Sequence, residues 1–205
     1  QFRKLNVENQ EDPEIKFELA RSLNQLARVQ NDLKKHDSAI ETHQEALRLL
    51  GELLVVDSSD LEVRSERASA RLYLGTVFID IEQWQDSIEA SNLAREDLQS
   101  LAESVSDGLV KAQILYNLGQ AYNNLGVAEA GFNQLKLDDI DKHYQAAIAK
   151  YEQALKLEEQ VGESTPTWAY LDSLLRTRTN RGNLFMRRSE SERGLEILKD
   201  NVDEY

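Results

Sequence analysis

Residues 114–126 read ILYNLGQAYNNLG, and their spacing decides the fold. Leu115, Leu118, Gly119 and Tyr122 fall at i, i+3, i+4 and i+7, the interval at which side chains stack along one side of an α-helix. A small residue after the leucine lets a second helix approach closely, and an aromatic one turn later fills the space beside it. The same grammar recurs as Leu26, Ala27 and Gln30, as Leu74, Gly75 and Phe78, and as Gly182 and Phe185. The chain therefore reads as a helical repeat protein.

Composition agrees with an array in which each unit contacts only its neighbours. Two prolines and nine glycines in 205 residues leave little material for turns and strands, while Ala, Leu, Glu, Gln, Arg and Lys are abundant. An apolar content of 40% is enough to bury one face of each helix, and 30% charge with a mean hydropathy of -0.57 keeps the other face wet. The longest apolar run, 47–56, is interrupted by Arg48, Gly51 and Glu52 and is far shorter than the ~20 residues of a spanning helix. A soluble, cytoplasmic protein is expected. The chain begins with Gln1, so an excised fragment of a longer protein is expected too. Without cysteine there are no disulfides or thiolate metal sites. A net charge of -13 opposes binding to a phosphate backbone, which needs clustered cations. Nucleic acid is excluded as the expected partner.

Along the chain, residues 1–13 have no sustained periodicity and end in Pro13, which suggests a linker or the tail of a preceding helix. A helix is expected over 14–34, with Phe17, Ala20, Leu23, Leu26, Ala27 and Leu33 on its apolar face. Ser38 with Glu41 has capping-box spacing, as do Ser59 with Glu62 and Ser189 with Glu192, so helices are expected to open at each. Thr165 before Pro166 is a suitable N-cap and first-turn pair. Further helices are expected to about Glu82, from Trp84 to Val105, over 108–126, and from 166 to 188. The expected organisation is one domain over 14–204, in four hairpins at about 14–57, 60–105, 108–163 and 166–204. Residues 127–142 form an insertion in the third; they either lengthen both helices or make a loop at the hairpin tip.

These residues resemble the tetratricopeptide repeat family. Repeat 1 supplies Leu26, Ala27, Ala39, His43 and Ala46; repeat 2 supplies Leu74, Gly75, Phe78, Trp84 and Ala94, with Ser87 and Ser91 at positions usually small and aromatic. Repeat 3 supplies Leu118, Gly119, Tyr122, Ala147, Tyr151 and Ala154. Repeat 4 is degraded, keeping Gly182, Phe185 and Gly194 but carrying Arg181 in place of leucine. Leu26 to Leu74 is 48 residues and Leu74 to Leu118 is 44, against the family's usual ~34. Such long-helix arrays are similar to those of bacterial multidomain signalling proteins, including serine/threonine kinases. The resemblance implies an all-α right-handed superhelix of antiparallel hairpins.

No motif argues for catalysis: there is no nucleophile beside a base, no glycine-rich phosphate loop and no HExxH. His36 and His43 read as structural. Asp138, Asp139, Asp141 and His143 carry the right ligand atoms for a metal, but the regular alternation, central glycine and closing glutamate of a calcium loop are missing. They read instead as an acidic helix start favoured by the macrodipole. No cofactor or metal site is expected.

Charge is unevenly placed. The first helices of the hairpins sum to +4 and the second helices to -13. In the family's architecture the first helices line the concave surface, which implies an acidic outer face and a neutral-to-basic groove. The family's groove-facing positions fall on Arg21, Asn24, Arg28 and Asn31 in repeat 1 and on Leu72 and Thr76 in repeat 2. In repeat 3 they fall on Tyr116, Asn117, Gln120, Asn123 and Asn124, and in repeat 4 on Arg176, Asn180, Asn183 and Arg187. Carboxamides match both backbone N–H and C=O of an extended peptide, and arginines grip acidic side chains or a terminal carboxylate. A complete carboxylate clamp is absent, because its lysines are missing at the matching places. The expected function is non-catalytic binding of a protein or peptide segment, acidic where it meets the arginines. Two alternatives remain. One is a sensory domain that binds a small signalling peptide or metabolite in a closed apolar pocket lined by Tyr73, Tyr116 and Trp168; the other is an architectural spacer or dimerisation segment that self-associates through Leu195, Leu198 and Val202 of the last repeat.

Overall fold

Two helix starts in this chain are set by Asp12 and Asp60. Asp12 accepts the Glu14 amide at 2.9 Å with Pro13 beginning the helix, and Asp60 accepts the Glu62 and Val63 amides at 2.9 and 3.0 Å. A short acceptor at the N-cap satisfies amides that have no partner within the helix. In the computed structural model, residues 12–132, 136–161, 168–188 and 190–203 are described. They form α1 Pro13–Asp32, α2 His36–Val56, α3 Leu61–Asp80, α4 Trp84–Ser104, α5 Gly108–Phe132, α6 Leu137–Val161, α7 Trp168–Arg187 and α8 Ser191–Asp203.

The capping boxes are corrected by this arrangement. α2 begins at His36 with no side-chain cap, and the Ser38 carbonyl instead accepts the Thr42 hydroxyl at 2.7 Å. Ser59 gives its amide and its hydroxyl to Asp57 in the preceding turn, which leaves Asp60 to cap α3. Thr165, Pro166 and Ser189 lie outside the described residues.

The first two hairpins turn identically. Lys34 and Glu82 both have φ of 59°. The Lys35 amide reaches the Gln30 carbonyl and the Gln83 amide reaches the Phe78 carbonyl, each at 2.8 Å. This left-handed cap ends a helix abruptly by satisfying its last carbonyls. It also explains why α1 and α3 stop two residues short of the expected Lys34 and Glu82.

Glycine sets helix approach where the second helix brings bulk. A Cβ on Gly119 would lie 2.6 Å from the Tyr151 ring, and one on Gly75 would lie 2.7 Å from Ser91 Oγ. The insertion lengthens both helices of the third hairpin, so α5 and α6 each reach 25 residues. Gly126 and Gly131 in the added turns accommodate the rings of Tyr144 and Trp84.

A buried cluster runs from α3 to α7 through Leu72, Leu98, Leu118, Ala154 and Tyr170. Each fully buried leucine contributes about 1.5–3 kcal/mol by leaving water. Two expected core residues of α1 are corrected: Leu26 and Leu33 are 48% and 63% exposed. One hairpin later the equivalent Leu74 is 7% exposed, because α3 packs on α2. Among the described residues, no helix performs that covering role for the outer face of α1.

Each helix packs on the next, and α1, α3, α5 and α7 also touch in succession, whereas among the described residues α2, α4, α6 and α8 do not touch one another. Helices that converge lie on the inside of a curve and those that diverge lie outside. The first helices therefore form the inner layer of an all-α solenoid of about four hairpins. None of the described helices is long and apolar enough to cross a membrane.

Candidate functional site

The inner layer encloses an open polar well of about 240 Å³. Arg28, Asn31 and Asp32 reach it from α1, Tyr73, Thr76 and Val77 from α3, Gln120, Asn123 and Asn124 from α5, and Ser173, Arg176 and Thr177 from α7. His43 of α2 and Tyr151 of α6 close its floor. The helical interval of three or four residues places Gln120, Asn123 and Asn124 on one face of α5 and Ser173, Arg176 and Thr177 on one face of α7. Both faces turn toward the well.

The groups in the well are held in place by one another. Asn123 Oδ1 accepts the Thr177 hydroxyl at 3.1 Å and the Asn180 amide at 3.2 Å. Asn124 donates to Thr76 Oγ1 at 3.0 Å. Gln120 donates to the Tyr116 hydroxyl at 2.7 Å, and that hydroxyl lies 3.2 Å from Ser173 Oγ. The Tyr116 ring stacks on Tyr170 with centroids 4.4 Å apart. Such a network fixes donors and acceptors before a ligand arrives.

Charge in the well is cationic on balance, with Arg28 and Arg176 against Asp32. The Arg28 guanidinium lies 4.2 Å from the Tyr73 ring centroid, a favourable contact of a cation with an aromatic face. Arg176 pairs with the exposed Asp172 one turn earlier on α7. His43 is fully buried, and neither ring nitrogen has a hydrogen-bond partner. Burial, and then the Arg28 charge, lower its pKa from 6.5 to about 4, so the imidazole is neutral at pH 7. Burial likewise raises the phenols of Tyr73 and Tyr151.

Of the expected groove residues, Arg28, Asn31, Gln120, Asn123, Asn124, Arg176 and Thr76 come together here. Tyr116 and Asn180 brace the well from behind through the bonds above. Asn24 is buried and donates to Glu66 at 2.5 Å, and Leu72, 1% exposed, belongs to the core. Asn117 accepts from Gln113 at 3.1 Å and, like the exposed Asn183 and Arg187, does not line the well. Arg21 lies at a second cleft nearer the helix starts. The lining residues missed were Asp32, His43, Val77, Tyr151, Ser173 and Thr177, and Tyr73 was expected only in the closed pocket. Ser173 and Thr177 were legible as a polar pair one turn apart on α7, whereas His43 and Tyr151 enter from second helices.

The pocket expected of a sensory domain does not form around Trp168, and the apolar face of the last repeat is only partly described. Trp168 is 81% exposed, and Tyr170 takes the stacking place on Tyr116, so no closed pocket joins Tyr73, Tyr116 and Trp168. Leu195 is 47% exposed, but Leu198 packs against Gly182, and the side chain of Val202 lies outside the described residues. The acids at the start of α6 are engaged with side chains: Asp139 with Lys142 at 2.7 Å, the buried Asp141 with Arg181 at 2.5 Å, while His143 lies 3.1 Å from Glu129.

A layered array of helical hairpins with a polar concave face is a helical-repeat solenoid, and comparison with known proteins gives its kind. Residues 20–49, within the first hairpin, match the family described as tetratricopeptide repeat. The crystal structure of BtubC (BKLC) from P. vanneervenii is similar over 98% of this chain and 69% of that one, with a TM-score of 0.60 at 18% identity. That likeness shows the shared fold. The crystal structure of MamA protein matches over 91% of each chain at 15% identity, with a TM-score of only 0.27. No curated protein matches the chain. Tetratricopeptide repeats generally mediate protein–protein interaction, and arrays of this kind are typically non-catalytic.

Proposed function

We propose that the protein binds a segment of another protein along its concave surface, with the polar well as the central contact and no chemistry performed on the partner. The observation that supports this most is the convergence of polar side chains from α1, α3, α5 and α7 on one open well whose carboxamides are already oriented by Thr76, Thr177 and Tyr116. Little side-chain order is lost when a ligand binds to groups already held, so more of the contact energy appears as affinity. Arg28 and Arg176 favour an acidic side chain at this point, gripped as a carboxylate. The size of the well fits one or two side chains of a peptide; small-molecule sites usually enclose about 300–1,000 Å³.

Panning a displayed random-peptide library on the purified chain tests the reading. Acidic peptides are expected to be enriched, and Arg28→Glu/Arg176→Glu is expected to weaken them at least tenfold while the variant keeps a helical circular-dichroism spectrum and a cooperative melt. Enriched peptides that bind this variant as tightly as the wild type would overturn it.

A further inference from the structure

A second cleft, of about 520 Å³, opens between the starts of α1, α3 and α5 and the end of α4. Its floor is apolar: Phe17 from α1, Leu61 from α3, Leu101 and Val105 at the end of α4, and Val110 and Ile114 from α5. Leu61 and Val110 remain 42% and 51% exposed. The apolar surface continues at an adjoining depression, where Val56, 84% exposed, meets Phe17 and Glu62. Exposed apolar area gathered in a concavity marks a surface that is covered in use.

The rim of the cleft has the opposite sign from the well. Glu14 and Glu18 stand on the α1 side and Glu62 and Glu66 on the α3 side, and Arg21 is the cation among the lining residues. Arg21 is already 3.7 Å from Glu18. The helix dipole accounts for Glu14 and Glu62, which lie in first turns. It does not account for Glu18 and Glu66, a turn further in, beyond its reach. Glu66 accepts from Asn24 through one oxygen, leaving the other for a ligand.

We propose that this cleft docks a basic segment of a partner protein, with one large aliphatic or aromatic side chain on the Phe17–Val105–Val110 floor and lysine or arginine on either side against Glu18 and Glu62. It deepens the reading of the concave surface given above and rests on it: one partner segment running along the inner layer meets carboxylates at this end and arginines at the well. Rim charges select partners and set the salt dependence, while the apolar anchor supplies the contact area.

The test uses fluorescence anisotropy with a labelled peptide containing one phenylalanine flanked by lysines and leucines, and its charge-inverted twin with glutamates for lysines. The basic peptide is expected to bind the wild-type chain, to weaken about tenfold or more in Glu18→Lys/Glu62→Lys, and to be unaffected by Arg28→Glu/Arg176→Glu. Its affinity is also expected to fall as salt is raised from about 50 to about 300 mM. Equal binding of the twin, or equal binding to the glutamate variant, overturns the proposal. Such a result leaves the well untouched, because the well is tested by the arginine variant and acidic peptides. Binding that appears only after removal of residues 1–11 also overturns it. In that case Phe2, Arg3, Lys4 and Leu5, which have the same chemistry, identify the occupant as this chain's own segment.

Discussion

His43 makes the stability of the array depend on pH. The imidazole is fully buried, both nitrogens lack partners, and burial together with Arg28 lowers its pKa from 6.5 to about 4. The folded value lies below the unfolded one, so between these values the unfolded chain binds the extra proton. Stability is therefore complete above pH 6.5 and is lost as pH falls toward 4. At pH 5 the unfolded state gains about 2 kcal/mol from protonation that the folded state does not share, and below pH 4 about 3 kcal/mol. Urea denaturation followed by circular dichroism at about pH 7.5 and about pH 5 measures the loss, and His43→Gln, which cannot titrate, removes this part of it. The wild type is expected to lose about 2 kcal/mol more than the variant over that interval. An NMR titration of the imidazole Cε1–H reads the group directly. A His43 midpoint near 6.5, or parallel losses in the two proteins, would refute the reasoning.

Two further substitutions probe the hairpins. Glu82→Gly relieves a left-handed residue at the α3–α4 turn, where φ is 59°; the gain from removing Cβ strain outweighs glycine's entropy cost by about 0.5–1 kcal/mol, seen as a higher urea midpoint. Asp141→Ala leaves Arg181 without its carboxylate at a position 2% exposed. It is expected to cost about 3 kcal/mol, with early loss of amide-exchange protection in α7 and α8 if the pair holds them to α6.

The repeat grammar was legible because small and large residues alternate at fixed helical intervals: Gly75, Gly119 and Gly182 were identified before any contact was known. Cap positions were less legible. Ser59 and Asp60 are both good caps, and only the turn geometry, with Asp57 claiming Ser59, decides between them. The insertion at 127–142 could not be resolved from periodicity alone; the rings of Tyr144 and Trp84, packed against Gly126 and Gly131, show why it continues as helix. At the well, the positions on first helices followed from family spacing. Asn24 and Leu72 did not, since a shift of one position on a helix turns a side chain by about 100° and exchanges groove for core.

The charge asymmetry of the sequence is real, yet its meaning changes once the partners are known. The sum over first helices counts Arg67, Arg71, Arg178 and Arg181 as groove charge. Arg67 and Arg71 instead grip Asp97 of α4 at 2.7 and 2.5 Å, Arg178 reaches Glu152 of α6 at 3.2 Å, and Arg181 holds Asp141. These arginines lie on the seam between the layers, where they offset part of the acidity of the second helices. Asp97 and Asp141 are 12% and 2% exposed on their side chains, so removing either partner would strand a buried charge. What remains to face a ligand is small in number and divided by position: Arg28 and Arg176 against Asp32 at the well, and Glu14, Glu18, Glu62 and Glu66 against Arg21 at the cleft. A uniform neutral-to-basic groove would bind an acidic segment in either direction. A surface with cations at one station and carboxylates at another distinguishes the two directions, because reversing the segment sets like charges together at both ends.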